Sequence, residues 1–206
     1  MKSPRYLRAA ERHLVTTDPV MKRIITNHGR CTLKAGGMDL FNALVRIVVS
    51  QQISGKAANA ISSKIEKRFA KTGLTPAAIL QARNESLRGC GLSAGKALTI
   101  KAIAKAIKVG QLDIERMPQL ESEAVAEQLL PIVGIGPWSV DMLLMFVLGR
   151  PDVLPVGDFG LRSAVKRHYE LKELPNADHI TTLAEPWRPY RTVATWYLWR
   201  SLDVRT

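Results

Sequence analysis

Cysteine is nearly absent: Cys31 and Cys90 are the only two in 206 residues. Two cysteines make no disulfide framework and cannot build a four-cysteine cluster or a zinc site. Both read as ordinary small core or near-surface residues. The four histidines, His13, His28, His168 and His179, are scattered without ligand spacing, and none is assigned to catalysis or to a metal. No apolar run approaches the roughly 20 residues that a membrane-spanning helix needs; the run from Met142 to Leu148 is far too short. The start, Met1-Lys2-Ser3-Pro4-Arg5, is not followed by a signal-peptide core. The default expectation is a soluble cytoplasmic protein with no membrane partner. Low-complexity segments and internal repeats are missing as well. Acidic residues are few, 18 against 30 Lys and Arg, which gives a formal net charge of +12. That is the electrostatic footprint of a nucleic-acid binder, although ribosome-associated and membrane-surface proteins share it.

What is present is helix. The chain is 46% hydrophobic and long enough to bury a core as one large domain or two small lobes. The period is helical almost throughout, with no convincing strand alternation, so the class is all-α. Helices are expected over 5–14 and 18–28, then from an Asp39 cap to near Gln51-Gln52, with Leu40, Leu44, Ile47 and Val48 on one face. Ser54 should cap the next, with Ala57, Ile61, Ile65 and Phe69 as its stripe. Thr75-Pro76 opens a short helix, and Gly89 to Ser93 form a loop before a long helix reaching Val109. On that helix Lys101, Lys105 and Lys108 share a face opposite Ile100, Ile103 and Ile107, either as a solvated face or as a contact to a polynucleotide backbone. Further helices are expected over 121–130, 137–148, 159–169 and 190–202.

The densest signal lies between the fourth and third of these from the end. Leu130-Pro131-Ile132-Val133-Gly134-Ile135-Gly136-Pro137-Trp138 is a glycine hairpin between two helical stretches. Gly134 and Gly136 let bare backbone N–H groups approach an anion, and Pro137 suits the first position of a helix whose N-terminus favours negative charge. Such a turn grips phosphate and reads no bases. Pro155-Val156-Gly157-Asp158 follows. Asp158 is either an N-cap for the helix beginning at Phe159 or a working carboxylate, and one residue can be both. Asp141 is expected to be exposed, and Asp152, in Arg150-Pro151-Asp152, to be a turn residue.

Gly134 to Asp141 followed by Asp158 resembles the helix-hairpin-helix DNA glycosylase superfamily. The segment Ser50-Gln51-Gln52-Ile53-Ser54, within 44–59, is similar to its alkylation-repair branch, the 3-methyladenine DNA glycosylase II type. With Trp187-Arg188-Pro189-Tyr190 in the same order, the resemblance spans about 38–199. It implies one helix-hairpin-helix core over 1–206 made of two helical lobes, approximately 30–115 and 1–29 with 116–206, the second carrying the hairpin at 121–148. It implies a monomer that acts on double-stranded DNA containing alkylated bases, at the nucleoid if the chain is bacterial, as a hydrolase of base excision repair.

The resemblance also assigns roles. Asp158 supports positive charge on the sugar and the attacking water. Trp138, Trp196 and Met142 fall at base-pocket positions, Met142 where a relative has a tyrosine; an electron-rich ring attracts a methylated, cationic purine. Trp187 and Trp199 read as core. Gly134 and Gly136 hold DNA phosphate. A flipped base leaves a gap, filled from Gln52, Ile53 and Ser54 or from Leu92, which is otherwise a core residue anchoring its loop. Ala94, at a wedge position, is too small to intercalate well. Relatives that also cut the strand carry a lysine where this chain has Trp138, which implies a monofunctional enzyme without lyase activity; Lys96 and Lys166 are conceivable substitutes. That residue and the missing cysteines disfavour an endonuclease III type. No cofactor is implied beyond a monovalent cation on the hairpin carbonyls. The competing reading is a DNA-structure binder of the same fold that has lost base excision.

Overall fold

The computed structural model describes residues 4–202, so the Met1 to Ser3 start read above lies outside the described residues. Among those described, twelve α-helices and no strand are formed: α1 (Leu7–Thr17), α2 (Pro19–His28), α3 (Leu40–Ser50), α4 (Gly55–Arg68), α5 (Pro76–Gln81), α6 (Asn84–Gly89), α7 (Ala94–Lys108), α8 (Ser122–Leu129), α9 (Pro137–Phe146), α10 (Phe159–His168), α11 (Ala177–Leu183) and α12 (Arg191–Arg200). No described helix is long and apolar enough to cross a membrane.

Two compact lobes share the chain. One, the terminal lobe, comprises Met1–Gly37 with Leu144–Thr206; the central lobe is Met38–Leu143. The division falls inside α9, and it moves the hairpin. Expected with the terminal segments, the hairpin belongs to the central lobe.

Local chemistry sets most helix ends of the central lobe. Asp39 accepts from the Asn42 N–H at 2.9 Å, Ser54 from Ala57, Thr75 from Ala78 and Ser93 from Lys96. Each such cap stabilises its helix by about 1 kcal/mol. Phe41, Leu44, Val45 and Val48 of α3 and Ile100, Ile103 and Ala104 of α7 are buried, and these two helices pack on each other. Of the expected stripe of α4, Ile65 and the following Phe69 are buried and Ile61 is half-buried, whereas Ala57 is exposed and Ala58 is buried in its place. Two short helices, α6 and α11, were not expected. Neither has more than seven residues, too few for a periodic signal.

The terminal lobe is built on α1, α2, α10, α11 and α12 around Leu14, Met21, Leu161, Val165, Trp187 and Tyr197. A carboxylate sits inside it. Asp18, 8% exposed, caps α2 by accepting from Val20 and Met21 N–H at 2.8 and 3.1 Å on Oδ1. Its Oδ2 accepts from the Tyr169 hydroxyl at 2.5 Å and Trp187 Nε1 at 2.7 Å. Four donors replace the water lost on burial, which is what makes a buried carboxylate tolerable. Burial and then the Asp18 bond push the Tyr169 hydroxyl above its ordinary pKa, so it stays a donor. Nearby, the Tyr197 hydroxyl lies 2.9 Å from Glu11 Oε1 and 2.8 Å from the Gly29 carbonyl.

Asp152 is more than a turn residue. It is bidentate to Arg191, at 2.7 and 2.9 Å, and also binds Arg188 at 2.9 Å. Burial works to raise its pKa, but the Arg191 bonds and the charges of both arginines outweigh it and hold the carboxyl low.

Candidate functional site

In the central lobe the hairpin is held from within and from two sides. Pro137 starts α9, as its fixed φ suits. Ile135 N–H donates to the Ile132 carbonyl at 3.0 Å, and Ile135 is buried, pinning the turn. Gly134 has φ +85°, and a Cβ there would overlap Thr99 Oγ1 of α7. Here glycine is required twice, by the backbone angle and by the close approach. Gln51 Nε2 donates to the Gly134 carbonyl at 3.0 Å and to Ser139 Oγ at 2.9 Å. The tip stays open: Val133 is 77% exposed.

The gap-filling candidates differ in exposure. Gln52, Ile53 and Ser54 are exposed at the turn between α3 and α4. Gln52 has φ +55°, a left-handed conformation that a non-glycine residue holds only when its surroundings impose it. Leu92 is 4% exposed, so in this structure it anchors its loop. Gly91, at φ +99°, lets that loop lie on Ile61, whose Cγ1 would be 3.1 Å from an added Cβ. On α9, Trp138 is half-buried and Met142 buried. Asp141, expected exposed, is half-buried. Lys105 and Lys108 are exposed and Lys101 half-buried. Lys96 donates from Nζ to the carbonyls of Val49 and Gln51 at 2.7 and 2.8 Å, an engagement unsuited to a nucleophile.

The terminal lobe holds Asp158. It caps α10, with Oδ1 accepting from Leu161 N–H at 2.7 Å. A second donor reaches the same oxygen: Trp199 Nε1, also at 2.7 Å. Trp199, read from the sequence as core, is therefore half-buried beside the carboxylate, stacked at 6.1 Å on Phe146. Trp196 instead packs edge-on against Tyr197 at 5.0 Å. Trp187 is fully buried, as expected. Gly160 leaves room for the Asp158 to Trp199 contact, since a Cβ on it would stand 3.1 Å from Asp158 Oδ1 and 3.2 Å from Trp199 Cδ1 and press on both. The signal for Trp199 was this glycine in the first turn of a helix, where nothing about helix propensity calls for one.

Other reactive groups are silent. Burial pushes the Cys31 thiol up to about 12 and raises that of Cys90, leaving both inert at neutral pH. Among the described residues no three His, Cys, Asp or Glu side chains are grouped to hold a metal ion.

The site thus combines a glycine hairpin that opens a proline-started helix with a carboxylate that caps the helix after it. The family model of the HhH-GPD superfamily base excision DNA repair proteins matches residues 45–189, and the chain belongs to that family. It is 36% identical over 200 residues to DNA-3-methyladenine glycosylase 1 of Schizosaccharomyces pombe, covering 95% of this chain and 87% of the relative. It is 31% identical over 198 residues to an alkylbase DNA glycosidase-like protein of the same organism, covering 93% and 92%. The structure matches that of a 3-methyladenine DNA glycosylase from S. pombe in complex with abasic DNA with a TM-score of 0.88 and 34% identity, covering 95% of this chain and 97% of that one.

Proposed function

We propose that the protein is a monofunctional DNA glycosylase that hydrolyses the N-glycosidic bond of alkylated purines, such as 3-methyladenine and 7-methylguanine, and leaves an abasic site. The observation that carries this reading is the doubly hydrogen-bonded Asp158 in a chain of the base excision family. As the bond between C1′ and the base nitrogen breaks, its electron pair leaves with the base and positive charge grows on the sugar. Asp158 stabilises that charge and orients the water whose oxygen bonds to C1′, accepting its proton. Two N–H donors on one oxygen fix the carboxylate for this task. A purine methylated at N3 or N7 is cationic and departs neutral, so the reaction asks little of a general acid.

Trp199 stands beside the carboxylate, and Trp138, Trp196 and Met142 are the base-pocket candidates. Gly134 and Gly136 hold backbone phosphate, and Gln52, Ile53 and Ser54 fill the gap left by the flipped base. The burial of Leu92 supports its reading as a loop anchor over a wedge. Trp138 at the lyase position, with Lys96 held by two carbonyls, supports hydrolysis without strand cleavage. A carbonyl has two lone pairs. The Ile132 and Gly134 carbonyls accept from Ile135 N–H and Gln51 Nε2, and a hard monovalent cation held on the hairpin carbonyls would add positive charge where phosphate docks. The protein works as a cytoplasmic monomer, at the nucleoid if bacterial.

The second reading, a DNA-structure binder without excision, is favoured by Ala94, which is too small to wedge a duplex. Incubating the protein with methylated duplex DNA and measuring released bases by chromatography separates the two. Release that is lost in Asp158→Asn with binding retained supports the enzyme; tight binding without release supports the binder. A strand nick formed without added base contradicts the monofunctional reading.

A further inference from the structure

Two side chains of the central lobe tie together segments that the proposed mechanism uses separately. Lys96, in the first turn of α7, bonds to the carbonyls of Val49 and Gln51. These lie at the C-terminus of α3, the negative end of its dipole, where a cation is favoured. Gln51 reaches the other way: Nε2 donates to the Gly134 carbonyl and to Ser139 Oγ. Its main chain is thus held by α7 and its side chain by the hairpin. The next residue is Gln52, at φ +55°. A left-handed residue is sustained only by over-determined neighbours, and here both flanks of the elbow are supplied with them: Gln51 on one side, and on the other the Ser54 cap of α4. The same α7 carries Thr99, against which Gly134 is seated.

We propose that Lys96 and Gln51 form a brace that fixes the gap-filling segment 52–54 against the phosphate-holding hairpin. The two then engage DNA in one register: where the hairpin grips the backbone decides where Gln52 enters the duplex. Both are positioning residues. The inference rests on the gap-filling role proposed above.

The test uses a duplex carrying a tetrahydrofuran abasic analogue beside 2-aminopurine, whose fluorescence reports unstacking next to the gap and needs no chemistry. Wild-type protein should raise the signal on binding. Lys96→Met and Gln51→Leu should melt as folded proteins and bind undamaged duplex as wild type does, yet lose most of the fluorescence response; Lys96→Arg, which keeps the charge and the donors, should recover it. Their single-turnover excision should fall about ten- to a hundredfold, the range for removing a group that orients another. Gln51→Glu, nearly isosteric but unable to donate to the Gly134 carbonyl, carries the test if Gln51→Leu does not fold. Folded variants with a wild-type fluorescence response overturn the brace. So does an equal loss of undamaged-duplex affinity and response, which would mean a damaged hairpin rather than a lost register. Failure of the wild-type protein to release any base would instead overturn the proposed function, a result this binding measurement does not depend on.

Discussion

The two lobes are held by different means. In the central lobe the devices that would meet DNA are largely short-range: caps at Asp39, Ser54, Thr75 and Ser93, a proline opening α9, and glycines at tight turns. In the terminal lobe polar side chains reach across the chain. Asp18 joins Trp187, Glu11 joins Tyr197, and Asp158 joins Trp199. A grip on phosphate can be made from backbone alone, whereas orienting one carboxylate needs a partner from another helix. Outside the Lys96 and Gln51 brace, the hairpin lobe should therefore tolerate side-chain changes that the lobe carrying Asp158 does not.

The sharpest way to break that contrast is Asp158→Asn, which should lower single-turnover base release by about a hundred- to a thousandfold, the size of losing a preorganised electrostatic group. Duplex binding, measured by fluorescence anisotropy, should survive. Trp187→Ala should destabilise the protein by about 3–5 kcal/mol in urea unfolding, because it empties a fully buried site and strips a donor from Asp18. In the central lobe Ile53→Ala, at an exposed position, should change stability by less than about 0.5 kcal/mol. Gly160→Ala should fold yet slow excision about tenfold or more, by pressing on Asp158 and Trp199 at 3.1 and 3.2 Å. Equal rates for Gly160→Ala and wild type would show that the contact does not matter.

The smallest effect concerns pH. Burial, then the charges of Arg167, Arg23 and His28, lower the pKa of His168 in the terminal lobe. A group whose folded pKa is depressed gives stability that is present above its unfolded value, about 6.5, and lost as pH falls through the folded one. The melting temperature should therefore drop on going from pH 7 to 5, and His168→Asn should flatten part of that slope.

The same contrast explains what could be read before the structure. The caps, the turn glycines and Pro137 act within a few residues of themselves, so Asp39, Ser54, Thr75, Gly134 and Asp158 were placed correctly as helix ends or turns. Which tryptophan faces Asp158 was not legible. Trp196 and Trp199 lie on one helix, and the choice between them depends on how α12 packs on α10. The hairpin's lobe was misplaced because α9 runs across the division. Helices α6 and α11 were missed because they are too short to show a period. Asp152 looked like a turn because its arginines are far along the chain.

One measurement tests the central claim, that Trp199 positions the Asp158 carboxylate for excision. It compares single-turnover release of 7-methylguanine by Trp199→Phe and Trp196→Phe, each of which keeps a ring and removes the indole N–H. The account predicts a loss of about tenfold or more for Trp199→Phe and a rate close to wild type for Trp196→Phe. The reverse order, or equal rates for Trp199→Phe and wild type, would contradict it.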